Sequence, residues 1–166
     1  DHANLGNRPG ARIAGRRLLM LYLDTSVVLA LFVHEPMSES VGNWVASRRQ
    51  PLAFSDWGLT ECASALGILQ RRGSLAADST ARTYVAITTF VNTSCEFIAC
   101  ASHHQIEAQK LLSRFDLPIR AGDALHLAVS LHAQASLVSC DKQLVAVAKA
   151  IGAKVRNPLS SPANRD

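Results

Sequence analysis

Residues 20–33, MLYLDTSVVLALFV, decide how this chain folds. Leu21, Tyr22 and Leu23 form a short apolar run of strand type that stops abruptly at Asp24. After Thr25 and Ser26 the apolar residues resume as Val27, Val28, Leu29, Leu31 and Phe32, enough for a helix. An acid between a buried strand and a helix stands where open α/β sheets bind ligands, at the carboxyl ends of their strands. Burying that charge without a partner is expensive, so something must compensate it. Asp24, Thr25 and Ser26 can each cap the helix, which leaves Asp24 two readings: a cap or a functional carboxylate.

Working outward, the same pattern returns. Residues 52–54 form a strand, and Ser55 and Asp56 open a helix that carries Glu61 in its second turn and closes at Arg71, Arg72 and Gly73. Residues 96–100, EFIAC, and 136–139 are two more strands, the last followed closely by Asp141. Helices are expected over 36–49, from Ser74 through Phe90, over 103–115 and over 144–150, the last stopped by Gly152. Tyr84, Val85 and Ile87 mark one of these as amphipathic, and Ile106, Leu111 and Leu112 are expected to point inward from another. The segment IRAGDALHLAVSLHAQA, beginning at Ile119, is apolar round most of its circumference, and 154–156 suits an edge strand. Strands alternating with helices predict an α/β fold with a parallel sheet covered on both faces. Right-handed crossovers then gather Asp24, Ser55, Cys100 and Ser139 along one edge.

Composition bounds the rest. At 166 residues, 48% hydrophobic and 18% charged, the chain is long enough for one ordinary core and is not a disordered segment. With aromatics at only 5%, a single-strand binder built on stacked bases is not expected. The net charge of +4 misleads, because Arg8, Arg12, Arg16 and Arg17 against Asp1 supply +3 of it. Beyond residue 19 there are 13 basic and 12 acidic residues, so a polyanion must be met locally. Cys62, Cys95, Cys100 and Cys140 show no CxxC spacing and read as buried free thiols. Asp24 interrupts the apolar run after Arg16 and Arg17, which argues against a signal peptide and a membrane span and points to a cytoplasmic protein. Residues 1–19 read as a disordered upstream extension, 20–157 as the folded domain and 158–166 as a polar tail.

Four acids stand out: Asp24, Glu61, Asp123 and Asp141. Asp24 and Asp141 follow apolar strands. Glu61 lies off the stripe Leu59, Cys62, Leu66 and Leu69 but beside Ala65 and Ile68, which suits a partly buried carboxylate. Asp123 shares a helix face with His126 and Ser130. Gathered at one edge, four carboxylates cannot all ionise unaided, because like charges raise one another's pKa. A divalent cation supplies that help, and an all-oxygen site suits Mg²⁺ or Mn²⁺. Such ions activate water and polarise phosphodiesters, with Thr25, Ser26 and Ser139 orienting ligands from behind.

Four pieces, LYLDTSVVLALF, SDWGLTECASAL, RAGDALHLA and LVSCDKQL, resemble in order the blocks of the PIN-domain nucleases, most closely the VapC toxins of bacterial toxin–antitoxin pairs. The resemblance spans Leu21 to about Val155 and implies a PIN-like three-layer sandwich with a central parallel sheet of four or five short strands between helices. It implies that Asp24, Glu61, Asp123 and Asp141 are the catalytic, metal-binding acids, holding one or two ions. Asp24, Asp123 and either Glu61 or Asp141 form the core of that set. Ser139 stands where the family often has Thr, which keeps the hydroxyl. The resemblance also implies an endoribonuclease acting on RNA, a VapB-type antitoxin that occludes the site, and a homodimer.

Rival readings remain for several residues. His126, three residues after Asp123, is either a second ligand or, the favoured reading, a helix-face histidine hydrogen-bonded nearby. His103 and His104 open a helix and are expected in solvent. Asp56 suits an N-cap or a first-turn acid. Arg120 and Lys142 adjoin site acids and are candidate phosphate contacts. An aspartate-dependent phosphohydrolase would need an acid where Ser26 stands, and no Gly-rich phosphate loop with a Lys exists for an NTPase. An inactive PIN-like binding scaffold is the alternative from another class.

Overall fold

The computed structural model describes residues 12–13, 16–17 and 19–160. Two short strands, β1 (Arg12–Ile13) and β2 (Arg16–Arg17), pair antiparallel. The disorder expected of residues 1–19 and of the tail from Pro158 falls for the most part outside the described residues.

From Leu21 the chain alternates as the apolar runs predict. Its elements are β3 (Leu21–Leu23), α1 (Thr25–Phe32), α2 (Ser38–Ala46), β4 (Leu52–Ser55), α3 (Asp56–Arg71), α4 (Ala77–Ser94) and β5 (Cys95–Ile98). They continue with α5 (Ser102–Leu112), α6 (Ala121–His132), β6 (Ser136–Val138), α7 (Lys142–Ala150) and β7 (Val155–Arg156). The five strands β3–β7 make one parallel sheet in the order β5-β4-β3-β6-β7.

Because successive strand residues point to opposite faces, each strand feeds two cores. Leu21, Leu23, Phe54 and Val138 face Val27 and Val28 of α1, Val41 of α2, Cys62 and Leu66 of α3, and Ile87 and Val91 of α4. Tyr22, Ala53 and Leu137 face the other way, onto Ala108 and Leu111 of α5, Leu127 and Ala128 of α6, and Leu144 and Val147 of α7. The result is the expected three-layer α/β sandwich. Each large apolar side chain buried this way contributes about 1.5–3 kcal/mol of transfer free energy.

The strand order places the site. The chain winds outward from β3 to β5, then crosses back to lay β6 against β3 on its other side. That reversal opens a crevice beyond the carboxyl ends of β3 and β6, where open α/β sheets bind ligands. Asp24 ends β3 there, and its backbone N–H reaches the Val138 carbonyl of β6 at 3.0 Å.

Three expectations about individual side chains need correction. His104 is buried, not solvated: its Nδ1 accepts the Ala101 N–H at 3.0 Å, and its ring packs against His103 and His132. His104, Ala108 and Leu111 form the buried stripe of α5, which turns Ile106 outward, 53% exposed. Val85 of α4 is likewise 62% exposed, since Ile87 and Val91 take the inward positions. The third expected strand also begins at Cys95 and stops at Ile98, short of Cys100.

All four cysteines are free, and burial pushes the Cys62 and Cys95 thiols up to about 12, so they stay protonated. Among the described residues no helix is long and apolar enough to cross a membrane.

Candidate active site

Both readings of Asp24 hold. Its Oδ1 accepts the Val27 N–H at 3.2 Å, capping α1, and its carboxylate is also the buried centre of a wider arrangement. Ser26 donates to Oδ1 at 2.6 Å and Ser139 to Oδ2 at 2.5 Å. Each hydroxyl is fixed in turn by a backbone N–H behind it, Cys140 N–H on Ser26 and Asp141 N–H on Ser139. Burial pushes the Asp24 carboxyl up, while His126, the two serines and the Val27 N–H pull the other way. Two of the three residues expected to support the site from behind, Ser26 and Ser139, thus grip one acid.

The third, Thr25, grips another. Its Oγ1 donates to Glu61 Oε2 at 2.5 Å, and His126 Nε2 lies 2.7 Å from the same oxygen. Burial alone would raise the Glu61 pKa, but hydrogen bonds and charge from His126, with Thr25 and Trp57, outweigh it and hold the carboxyl below its ordinary value. The Trp57 indole N–H is buried without a hydrogen-bond partner of good geometry, close to this carboxylate. As expected of its off-stripe position, the Glu61 side chain is 30% exposed.

Asp123 stands half-buried in the first turn of α6 and makes no side-chain hydrogen bond among the described residues. Its pKa is raised by burial first, then by the charges of Asp141, Glu61 and Asp24, with His126 opposing. The four acids therefore share one electrostatic field. Asp141 is exposed and caps α7, its Oδ1 accepting from Gln143 and Leu144 N–H at 2.7 and 3.1 Å. Arg120 and Lys142 are exposed, and neither forms an ion pair with an acid among the described residues.

These oxygens suit a hard divalent cation in kind: among the described residues no Arg or Lys pairs with these carboxylates, and none of the thiolates that favour zinc joins them. In the described residues no three His, Cys, Asp or Glu stand close enough to hold one ion together. Free donors remain within the group. Glu61 Oε1 accepts no hydrogen bond there, Asp141 uses only Oδ1, and Asp123 is free to rotate. His126 is the residue that spacing undervalued. Its favoured reading, a hydrogen-bonded histidine, holds, and its partners are an acid of the site and Tyr22.

This sheet and its switch-point acids define an α/β protein of the PIN type. The PIN domain family model matches residues 21–150, and the chain belongs to that family. Nucleases of the family hydrolyse RNA and generally use divalent metals. No curated protein matches the chain. Among solved structures, FitAcB from Neisseria gonorrhoeae superposes with a TM-score of 0.69 at 16% identity, covering 86% of this chain and 100% of that one. VapC20 of Mycobacterium tuberculosis, a sarcin-ricin loop cleaving toxin, gives 0.60 at 21% identity, covering 76% and 93%. VapBC-1 from nontypeable Haemophilus influenzae gives 0.61 at 14%, covering 86% and 100%. At these identities the likeness is one of fold.

Proposed function

We propose that this chain is a metal-dependent endoribonuclease that hydrolyses RNA phosphodiester bonds, the toxin of a VapBC-type toxin–antitoxin pair. One observation carries the reading: carboxylates from four separate elements meet at the sheet's switch point, where Asp141, Glu61 and Asp24 all raise Asp123, and among the described residues no Lys or Arg is paired to Asp24, Asp123 or Asp141. A binding scaffold has no use for that repulsion, whereas a phosphodiesterase needs it to attract a cation. The names of the structural neighbours, several of them toxin–antitoxin complexes, support an antitoxin partner by analogy.

Asp24, Glu61, Asp123 and Asp141 would hold one or two Mg²⁺ or Mn²⁺ ions, which when bound lower the pKa of water and offset charge on the phosphate. The chain's own part is to hold Asp24 between two serine hydroxyls and to aim Glu61 through Thr25 and His126. Asp123 is left loose enough to close on a ligand. Arg120 and Lys142 stand in solvent beside Asp123 and Asp141 as contacts for the RNA backbone. A VapB-type antitoxin and a second copy of this chain are the proposed protein partners.

The test is RNA cleavage by the purified protein with Mg²⁺, with Mn²⁺ and with EDTA, run beside Asp24→Asn. Cleavage by the parent alone, abolished by EDTA, supports the reading. Cleavage that EDTA leaves intact overturns the metal role, and no cleavage under any condition favours the scaffold.

A further inference from the structure

A buried hydrogen-bonded line runs from the sheet interior to Glu61. Gly58 N–H lies 3.2 Å from Ser55 Oγ, Ser55 Oγ is 2.7 Å from the Tyr22 hydroxyl, and that hydroxyl is 2.8 Å from His126 Nδ1. The line ends where His126 Nε2 meets Glu61 Oε2 at 2.7 Å. Ser55, Tyr22 and His126 are all but inaccessible to solvent. Tyr22 and Ser55 alternate with Leu23 and Phe54 on their strands, and this register turns their hydroxyls toward α6 instead of the opposite core.

The end of the line at Glu61 has a direction. A carboxylate only accepts, so the His126 proton facing Glu61 must sit on Nε2. Behind the ring the Tyr22 hydroxyl meets Nδ1 and the Ser55 hydroxyl meets Tyr22, while Ser55 Oγ accepts the Gly58 N–H.

The other side of the same carboxylate is bounded by backbone. A Cβ at Gly122, one residue before Asp123, would stand 2.5 Å from Glu61 Oε1 and 3.5 Å from the Trp57 ring. Glu61 thus has Oε2 saturated by Thr25 and His126, and Oε1 fits beside α6 only because residue 122 lacks a side chain.

We infer that Ser55, Tyr22, His126 and Gly122 are positioning residues for Glu61: the relay ties down Oε2, and the bare Gly122 leaves Oε1 as the one oxygen free to meet a cation. This deepens the nuclease reading and rests on it for the identity of the ligand. None of the four touches substrate, and they act only by fixing where one carboxylate points. Partners that orient a metal-binding side chain typically carry about 10- to 100-fold in metal affinity.

The test begins with the metal-free protein. Long-range ¹⁵N–¹H correlations of the imidazoles should show a proton on His126 Nε2, the nitrogen facing Glu61; its absence there overturns the relay and needs no variant to show it. Binding is then read as Mn²⁺ quenching of Trp57 fluorescence in a Trp44→Phe background, where Trp57 is the sole tryptophan. His126→Phe should weaken Mn²⁺ binding about 10- to 100-fold, and His126→Gln, which keeps a donor toward Glu61, should recover most of it. Gly122→Ala should weaken it comparably with the fold intact, because the added methyl meets the movable end of Glu61. Variants with parental melting curves and parental Mn²⁺ affinity overturn the proposal, as does a parent that binds no Mn²⁺. RNA cleavage separates the two levels. The expected Nε2 proton and affinities without cleavage sink the nuclease reading alone, whereas cleavage with insensitive affinities sinks only the positioning role.

Discussion

Asp24 and Glu61 reach the switch point from β3 and α3, Asp123 and Asp141 from the first turn of α6 and the start of α7. The fold treats the two pairs differently. Each acid of the first pair is buried or half-buried and held by hydroxyls or an imidazole that are themselves held from behind. In the second pair Asp123 has no hydrogen bond among the described residues, and Asp141 offers one oxygen to its helix and the other to solvent. A gripped carboxylate fixes a position in advance and costs stability through its buried charge; a loose one costs little and can follow a ligand. Half of this site is built into the core, and half is left to adjust.

Neutralising an acid tests the division most severely. Asp24→Asn and Asp123→Asn should each lower RNA cleavage by about a thousandfold or more, as expected when a group that holds the reacting charge is lost. Their stabilities should part company. Burial raises the Asp24 carboxyl, and each unit of such a shift corresponds to about 1.4 kcal/mol against the ionised form, so Asp24→Asn should melt a few degrees higher. Half-buried Asp123 should give a smaller rise. Equal rises in a calorimetric scan would erase the contrast.

Removing what grips an acid comes next. Ser139→Ala strips a donor from Asp24 Oδ2 and an acceptor from Asp141 N–H at once, and should cost about 1–3 kcal/mol in urea unfolding. Ser139→Thr retains the hydroxyl and should cost much less. On the loose side Asp123→Ala breaks no hydrogen bond among the described residues and should stay within about 0.5 kcal/mol of the parent. If Asp123→Ala proves as damaging as Ser139→Ala, the two pairs are not distinct.

The gripped half was the more legible in sequence, though incompletely. Apolar runs broken by a single acid, and small hydroxyl residues just after, are local signals, so Asp24, Ser26 and the Ser55 cap could be read from adjacent residues. Ser139 was legible only because its strand also stops at the switch edge. The Tyr22–His126 contact joins residues 104 apart, and no periodicity encodes it. His104 misled for a related reason. A histidine in a first helical turn is ordinarily solvated, and only the packing of α5 on α6 brings His132 over it. Gly122 gave no signal, because its role depends on an oxygen arriving from another helix.

Asp141 offers the finest test, since it has a local task and a proposed distant one. Its Oδ1 caps α7 through two backbone N–H groups, and losing a cap of this kind costs about 1 kcal/mol. Asp141→Ala should therefore unfold at lower urea, whereas Asp141→Ser, which keeps a capping oxygen, should stay close to the parent. Both variants remove the carboxylate, so a role in the shared field predicts equal losses of cleavage and equal falls in the Asp123 pKa, which the Asp141 charge helps to raise. If cleavage instead follows stability, surviving in Asp141→Ser and failing in Asp141→Ala, then Asp141 serves its helix alone and the chemistry belongs to Asp24, Glu61 and Asp123.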